Sequence, residues 1–196
     1  SKIDKKSKIL DLGCGYGSFL YFIQSLNYMN VTGLDISTEE LAVCKRIFKS
    51  YNFIQNDIFK YMDNTIEKFD VIYLSHVLEH IAKDKLFEFF DGIKKILNDD
   101  GYLIIIIPNS GAYFNSGVAR YVDITHEIGF TDKSLRQALI LAGFRNIEVK
   151  NFYGVGNFLL NILRKIMLFF FEIFIQVLGY EKQDVYTQSL LAVIKK

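Results

Sequence analysis

The chain predicts a doubly wound, mostly parallel α/β sheet of seven strands with helices on both faces. Three observations carry this expectation. Strand-like and helix-like patterns alternate along the length, as in a sheet built from βαβ units. The apolar run Ile9-Leu10-Asp11-Leu12 enters a turn with glycine at every second position, Gly13-Cys14-Gly15-Tyr16-Gly17, and an apolar helix starts at Ser18. The run Tyr102-Leu103-Ile104-Ile105-Ile106-Ile107 is unbroken, the signature of a central parallel strand buried on both faces.

The elements follow in order. Residues 8–12 read as the first strand, and residues 18–26 as a helix with Phe19, Leu20, Phe22, Ile23 and Leu26 on a broad apolar face. Residues 31–35 form a second strand ending on Asp35. Ser37 or Thr38 caps the next helix, and Glu40 stands three residues after Ser37, the spacing of a capping box. A third strand is expected over 51–57, ending on Asp57, and a fourth over 69–75. Leu86, Phe90, Ile93 and Leu97 share one face of a helix over 83–97. The fifth strand covers 101–108, where Pro108, the single proline, stops the ladder. The connection 109–129 is too long to be a mere linker. A helix over 131–142 has Thr131 as cap and Gly143 as stop. Strands over 144–153 and 185–194 complete the sheet, the last expected at its edge.

Composition sets bounds. With 196 residues and 51% hydrophobic content, the chain can fill one core, and a single domain over 1–196 is expected. A net charge of +1 excludes a generic nucleic-acid surface. Cys14 and Cys44 have no metal-ligand or disulfide-framework spacing and suit a reducing compartment. No secretory leader pattern opens the chain, and Ser1 in place of methionine suggests a trimmed start. A cytoplasmic protein is expected.

The glycine turn at a strand's carboxyl end suits a nucleotide-containing cofactor. A dinucleotide site asks for GxGxxG. The spacing here is GxGxG, Gly13-x-Gly15-x-Gly17, and it points to the other cofactor class. Asp35 is placed to accept hydrogen bonds from a ribose diol, which both classes share.

Taken together, Asp11 to Gly17, Asp35, Asn56-Asp57 and Leu78-Glu79-His80 resemble the class I S-adenosylmethionine-dependent methyltransferases, over nearly the whole chain. The resemblance implies a Rossmann-like sheet and S-adenosylmethionine (SAM) as cofactor. It implies that Asp11, Gly13, Cys14, Gly15, Tyr16 and Gly17 surround the methionine portion, with Ser75 and His76 beside them. Asp35 is then at the ribose and Asp57 at the adenine amino group with Ile58 on the ring, and Ile36 and Asn56 are further cofactor contacts. A second stretch, Arg120-Tyr121-Val122-Asp123-Ile124-Thr125-His126-Glu127, resembles the subgroup that methylates sugars of cell-surface polysaccharides. On that resemblance Arg120, Tyr121, His80 and Asn109 bind the acceptor, and His126, Asp123 and Tyr121 serve catalysis.

The sulfonium methyl is already activated, so the protein must position an acceptor oxygen and remove its proton. Positioning is worth up to ~7–11 kcal/mol and a placed base about 10²–10⁴-fold. His126 is the expected base, because imidazole titrates near working pH, with Asp123 orienting the ring. His76, Glu79 and His80 raise a metal question, and His126 is the only further histidine. HxxEH matches an inverted zinc-protease motif, but that motif needs a longer helix and a distant carboxylate. The expectation is no metal and a role beside the cofactor.

Residues 158–179 form an apolar helical insertion. Arg164, Lys165 and Glu172 interrupt it below the ~18–20 residues of a bilayer span. It completes the core, forms a homodimer interface, or rests peripherally on a membrane, which would place the protein at the inner face. The functional expectation is O-methylation of a sugar hydroxyl on a glycan or other small molecule. The alternatives are a quinone-like phenol as acceptor and a cofactor-binding interaction subunit without turnover.

Overall fold

The structure, a computed structural model, describes residues 3–112, 120–153, 158–179 and 184–196. Five strands run parallel: β1 (Ile9–Leu12), β2 (Val31–Asp35), β3 (Asn52–Gln55), β4 (Phe69–Ser75) and β5 (Leu97–Pro108). β7 (Ser189–Lys195) is antiparallel to both β5 and β6 (Asn146–Phe152), and the sheet order is 3-2-1-4-5-7-6. The order reverses direction between β1 and β4. A crevice opens beyond the carboxyl ends of strands at such a switch point.

Side chains alternate across the sheet with period two, and two apolar layers result. Leu10, Leu12, Ile72, Leu74, Ile105 and Ile107 face a cluster completed by helices α3 (Ile58–Asn64), α4 (Leu86–Ile96) and α5 (Asp132–Leu141). Phe89, Phe90 and Ile93 of α4 and Leu135 and Leu139 of α5 are buried there. On the other face Ile9, Val31 and Val71 meet α1 (Ser18–Ser25) through Leu20 and Ile23, and α2 (Thr38–Ile47) through Leu41 and Cys44. Phe22 and Leu26, expected on the buried face of α1, are exposed.

Local chemistry sets the helix starts. Ser37 accepts the Glu40 N–H at the head of α2. Thr131 and Ser134 close a reciprocal capping box on α5, and Gly143 follows with φ +89°. The Ser37 and Thr131 caps and the Gly143 stop match expectation, and the reciprocal bond from Ser134 goes beyond it.

Three expectations are corrected. β3 stops at Gln55, and Asp57 caps α3 by accepting the Lys60 N–H at 3.0 Å. The sequence reading had no helix there. α3 spans only 7 residues, too few for a helical apolar period to stand out. The last strand is not at the edge. β7 buries Leu190, Ala192 and Ile194 between β5 and β6, while β6, carrying Glu148 and Lys150, takes the edge, where charge resists further pairing. β5 starts early, at Leu97, across a register irregularity opposite Phe69 and Val71.

The apolar insertion is helix α6 (Phe158–Val177). Ile175 is buried and Phe171 meets the Tyr186 ring, but Met167, Phe169, Phe170 and Phe174 stand exposed. No helix among the described residues is long and apolar enough to cross a membrane.

Candidate functional site

A cleft of about 620 Å³ opens at the switch point. Its walls are the glycine turn, the ends of β2 and β4, the first turn of α3 and the short helical turn Leu78–His80. A second hollow of about 480 Å³, between α6 and the Tyr153 and Tyr186 side chains, lies away from the glycine turn.

The turn is tied to β2 because Gly13 and Cys14 both donate to the Leu34 carbonyl, at 2.8 and 3.0 Å. Gly15 has φ +50°, and a Cβ built on it would meet only Glu40 Oε2, at 3.6 Å. Main chain is therefore open to the cleft at this point. Asp35 Oδ2 accepts the Gly15 N–H at 2.8 Å and Oδ1 accepts the Ser37 N–H at 2.9 Å. A carboxylate has about four lone-pair sites, so two remain for a ligand diol.

Asp11 lies on the α1/α2 side of β1 and is 2% exposed. Its Oδ2 has no hydrogen-bond partner among the described residues. Burial, and secondarily the Asp35 charge, push its pKa up to about 8. Burial likewise raises the Cys14 thiol, which is inert packing behind the turn. An orphaned buried acid beside an open backbone turn fits a ligand that brings a cation, such as the ammonium of a methionine moiety.

The opposite rim is built by two segments held together through main chain. The Glu79 carbonyl accepts the Glu127 and Ile128 N–H groups at 2.8 and 3.2 Å. Arg120 donates to the His126 carbonyl and, at 3.1 Å, to the Glu127 carbonyl. His80 Nδ1 donates to Thr125 Oγ1 at 2.9 Å, and that hydroxyl donates to Asp123 Oδ1 at 2.7 Å. The two Thr125 bonds hold the Asp123 carboxyl below its ordinary range. The His80 and His126 rings meet edge to face, with centroids 4.8 Å apart. His76 has φ +57° and its Nδ1 lies 3.1 Å from Glu79 Oε1, which raises the imidazole pKa.

The expected residues separate into groups. Gly13, Gly15, Asp35, Ile36, Asp57 and Ile58 line the cleft, as do Ser75, His76 and His80. Cys14 is buried behind it, Tyr16 is exposed, and Gly17 backs onto Phe48 and Cys44. Asn56 donates its N–H to the Asp35 carbonyl and does not line the cleft. Asn109 is corrected from an acceptor ligand to a clasp. It is 1% exposed, donates to the Thr187 carbonyl at 2.9 Å and accepts the Gly111 N–H. Arg120 spends its guanidinium on main chain, and Tyr121 is exposed with Arg120 over its ring, so neither lines the cleft. Asp123 orients His80 through Thr125 and makes no side-chain bond to His126.

Sequence reasoning missed Glu40, Phe59, Val77 and Ile81 as cleft walls. Phe59 went unseen with its helix, and Glu40 was read only as a cap. Thr125 stood in the quoted acceptor stretch without a role. Its place between an acid and a histidine was the available signal.

A switch-point cleft with a GxGxG turn, an acid at the end of β2 and an acid at the head of α3, on a sheet of order 3-2-1-4-5-7-6, is the arrangement of the class I SAM-dependent methyltransferase fold. The family described as "Methyltransferase domain" matches residues 1–149, and the chain belongs to it. Its cofactor is SAM. The chain is 35% identical over 110 residues to a ubiquinone biosynthesis O-methyltransferase of Actinobacillus pleuropneumoniae, covering 52% of this chain and 46% of that protein. It is 31% identical over 116 residues to N-methyltransferase 4 of Papaver somniferum, covering 54% of this chain and 31% of that protein. The chain thus spans less than half the length of either relative. A crystal structure of a SAM-dependent methyltransferase from Archaeoglobus fulgidus superposes with a TM-score of 0.72 at 21% identity, over 97% of this chain and 86% of that one.

Proposed function

We propose that the chain transfers the SAM methyl group to a hydroxyl oxygen held at the His80–His126 side of the cleft, with a sugar hydroxyl as acceptor. One observation carries the oxygen-acceptor reading. His80 lines the cofactor cleft, is oriented by the Asp123–Thr125 relay, and stands against His126. His126, 9% exposed, stands behind His80 and outside the lining, so a hydroxyl proton near neutral pH would pass to His80 directly or to His126 through contact with that ring.

When bound, SAM supplies a sulfonium methyl that needs no further activation. Asp35 would hold the ribose diol with its free lone pairs. Asp57 would accept from the adenine amino group while Ile36, Ile58 and Phe59 cover the ring. Asp11 and the Gly13–Gly17 turn would take the methionine end. The Glu79–Glu127 main-chain clasp keeps the imidazole pair fixed relative to the cleft, which limits the reorganisation needed for in-line approach.

A second reading, a quinone-like phenol as acceptor, is favoured by the A. pleuropneumoniae relative. The exposed side of α6 is read as the surface for a second copy or for peripheral contact at a membrane face. The deciding experiment is transfer of a labelled methyl group to nucleotide sugars, glycans and catechols, comparing the native protein with His126→Ala. The variant should lose about 10²–10⁴-fold in turnover while still binding cofactor. A native protein that binds SAM but methylates no oxygen acceptor overturns the hydroxyl reading, and binding without transfer to any acceptor favours a cofactor-binding interaction subunit.

A further inference from the structure

The rim holds an unused donor set. Glu79 is 2% exposed, and its Oε2 is buried with no hydrogen-bond partner among the described residues. One ligand atom each from Glu79, His80 and His126 lies within 4.8 Å of the others. A buried carboxylate oxygen without a donor is unfavourable, and its natural relief is a cation. The two adjoining imidazoles add nitrogen donor atoms beside it.

From this geometry we infer a divalent transition-metal site formed by Glu79, His80 and His126, of the Zn²⁺ class. The inference rests on the methyl-transfer reading only for the metal's role in acceptor binding. Two imidazoles with one carboxylate suit zinc-like ions better than Mg²⁺ or Ca²⁺, which prefer oxygen ligands throughout. The second shell is already in place. His80 Nδ1–H is committed to Thr125 Oγ1, which leaves Nε2 as the nitrogen with a lone pair, and Asp123 polarises the hydroxyl in turn. Metal-ligating histidines hold their tautomer in this manner. Glu79 Oε1 is likewise held, by His76 Nδ1 at 3.1 Å.

The ligand segments are also rigidly spaced, because the Glu79 carbonyl takes two N–H groups from the His126 segment. A tetrahedral cation with bonds of ~2.0–2.2 Å keeps its ligand atoms roughly 3.3–3.6 Å apart, so the set must contract by about an ångström. Three protein ligands leave a position open, and His80 borders the cofactor cleft. An acceptor hydroxyl or one oxygen of a vicinal diol would fill it. Coordination would lower a hydroxyl pKa, so in the metal-bound protein the rings would be ligands and solvent would take the proton that the metal-free imidazoles would otherwise remove. This departs from the sequence expectation of no metal.

The test is isothermal titration of the EDTA-stripped protein with Zn²⁺ alone, without cofactor or acceptor, followed by Co²⁺ substitution read in visible absorption. One equivalent should bind, with a tetrahedral or five-coordinate Co²⁺ spectrum. Glu79→Gln and His126→Gln should each abolish stoichiometric binding, and Thr125→Val should weaken it by about 10–100-fold. Circular dichroism and cofactor titration establish that each variant is folded; where Glu79→Gln is not, His126→Gln decides. Absence of stoichiometric binding in the native protein overturns the inference, and so does equal binding by native protein and the folded variants. Because the readout needs no methyl transfer, a negative result leaves the methyltransferase reading intact, and a failure of transfer leaves the metal result intact.

Discussion

Asp35 Oδ2 accepts the Gly15 N–H at 2.8 Å, so the acid that ends β2 also holds the centre of the glycine turn that follows β1. The same carboxylate holds the head of α2 through Ser37. One side chain thereby sets the distance between the two walls of the cleft. Asp35→Asn places an amide where two backbone donors converge, and its single oxygen can serve only one of them. Hydrogen bonds to charged groups contribute about 1.5–3 kcal/mol, so SAM affinity should fall roughly 10–150-fold. Calorimetric titration checks this, and unchanged affinity would show that the acid is only a structural tie.

Gly17 has φ +82°, and a Cβ there would stand 2.6 Å from Phe48 Cε2 and 3.1 Å from Cys44 Sγ. Gly143 has φ +89°, yet its Cβ would meet nothing nearer than Lys94 Nζ at 3.9 Å. Gly143→Ala therefore pays only for the backbone conformation, about 1–2 kcal/mol. Gly17→Ala carries the same conformational cost plus overpacking, which adds roughly 1–3 kcal/mol. Urea unfolding of the two variants separates the terms, and equal losses would mean that Phe48 moves aside freely.

The cofactor half of the site was legible because its chemistry is local. A strand, a glycine turn and an acid at the next strand's end lie within short stretches, and their spacing follows from sheet geometry. The His80–His126 rim was not. His80 and Asp123 meet only because the segment after β5 folds back onto the turn after β4, and no period in the chain encodes that contact. Asn109 shows the same limit in reverse. A polar residue at the end of a central strand reads as a ligand, but here it satisfies carbonyls of the segment leading into β7. The order of the last two strands was illegible for a related reason. Both alternate with period two, and only their relative charge distinguishes the centre from the edge.

The Asp11 carboxyl should make the free protein's stability depend on pH. Its folded pKa is raised to about 8 from the ordinary 3.8, so between these values the folded state holds a proton that the unfolded state has released. Stability must then fall as pH rises across that window, and this contribution is fully present only below the unfolded value. A cofactor ammonium next to Asp11 favours the charged form, so binding should expel the proton and tighten as pH rises towards 8. Titrations in buffers of different ionisation enthalpy read the released proton directly. Asp11→Asn should abolish both effects, and persistence of proton release in that variant would assign it elsewhere.

The exposed rings of α6 give a last expectation. Phe169 and Phe170 pack edge to face on each other, at 5.6 Å, rather than into the core, and are 59% and 64% exposed. Clustered apolar area of this kind on a surface marks a covered face. Few cations accompany it, since Arg164 stacks over Tyr153 and leaves Lys165 as the other basic side chain of the helix, so charge attraction to anionic lipid is weak. Replacing both rings with serine should leave the unfolding midpoint within a few degrees, because little buried area is lost. It should shift sedimentation towards the monomer or abolish flotation with liposomes. A large drop in thermal stability with neither of those changes would instead make the two rings part of the core.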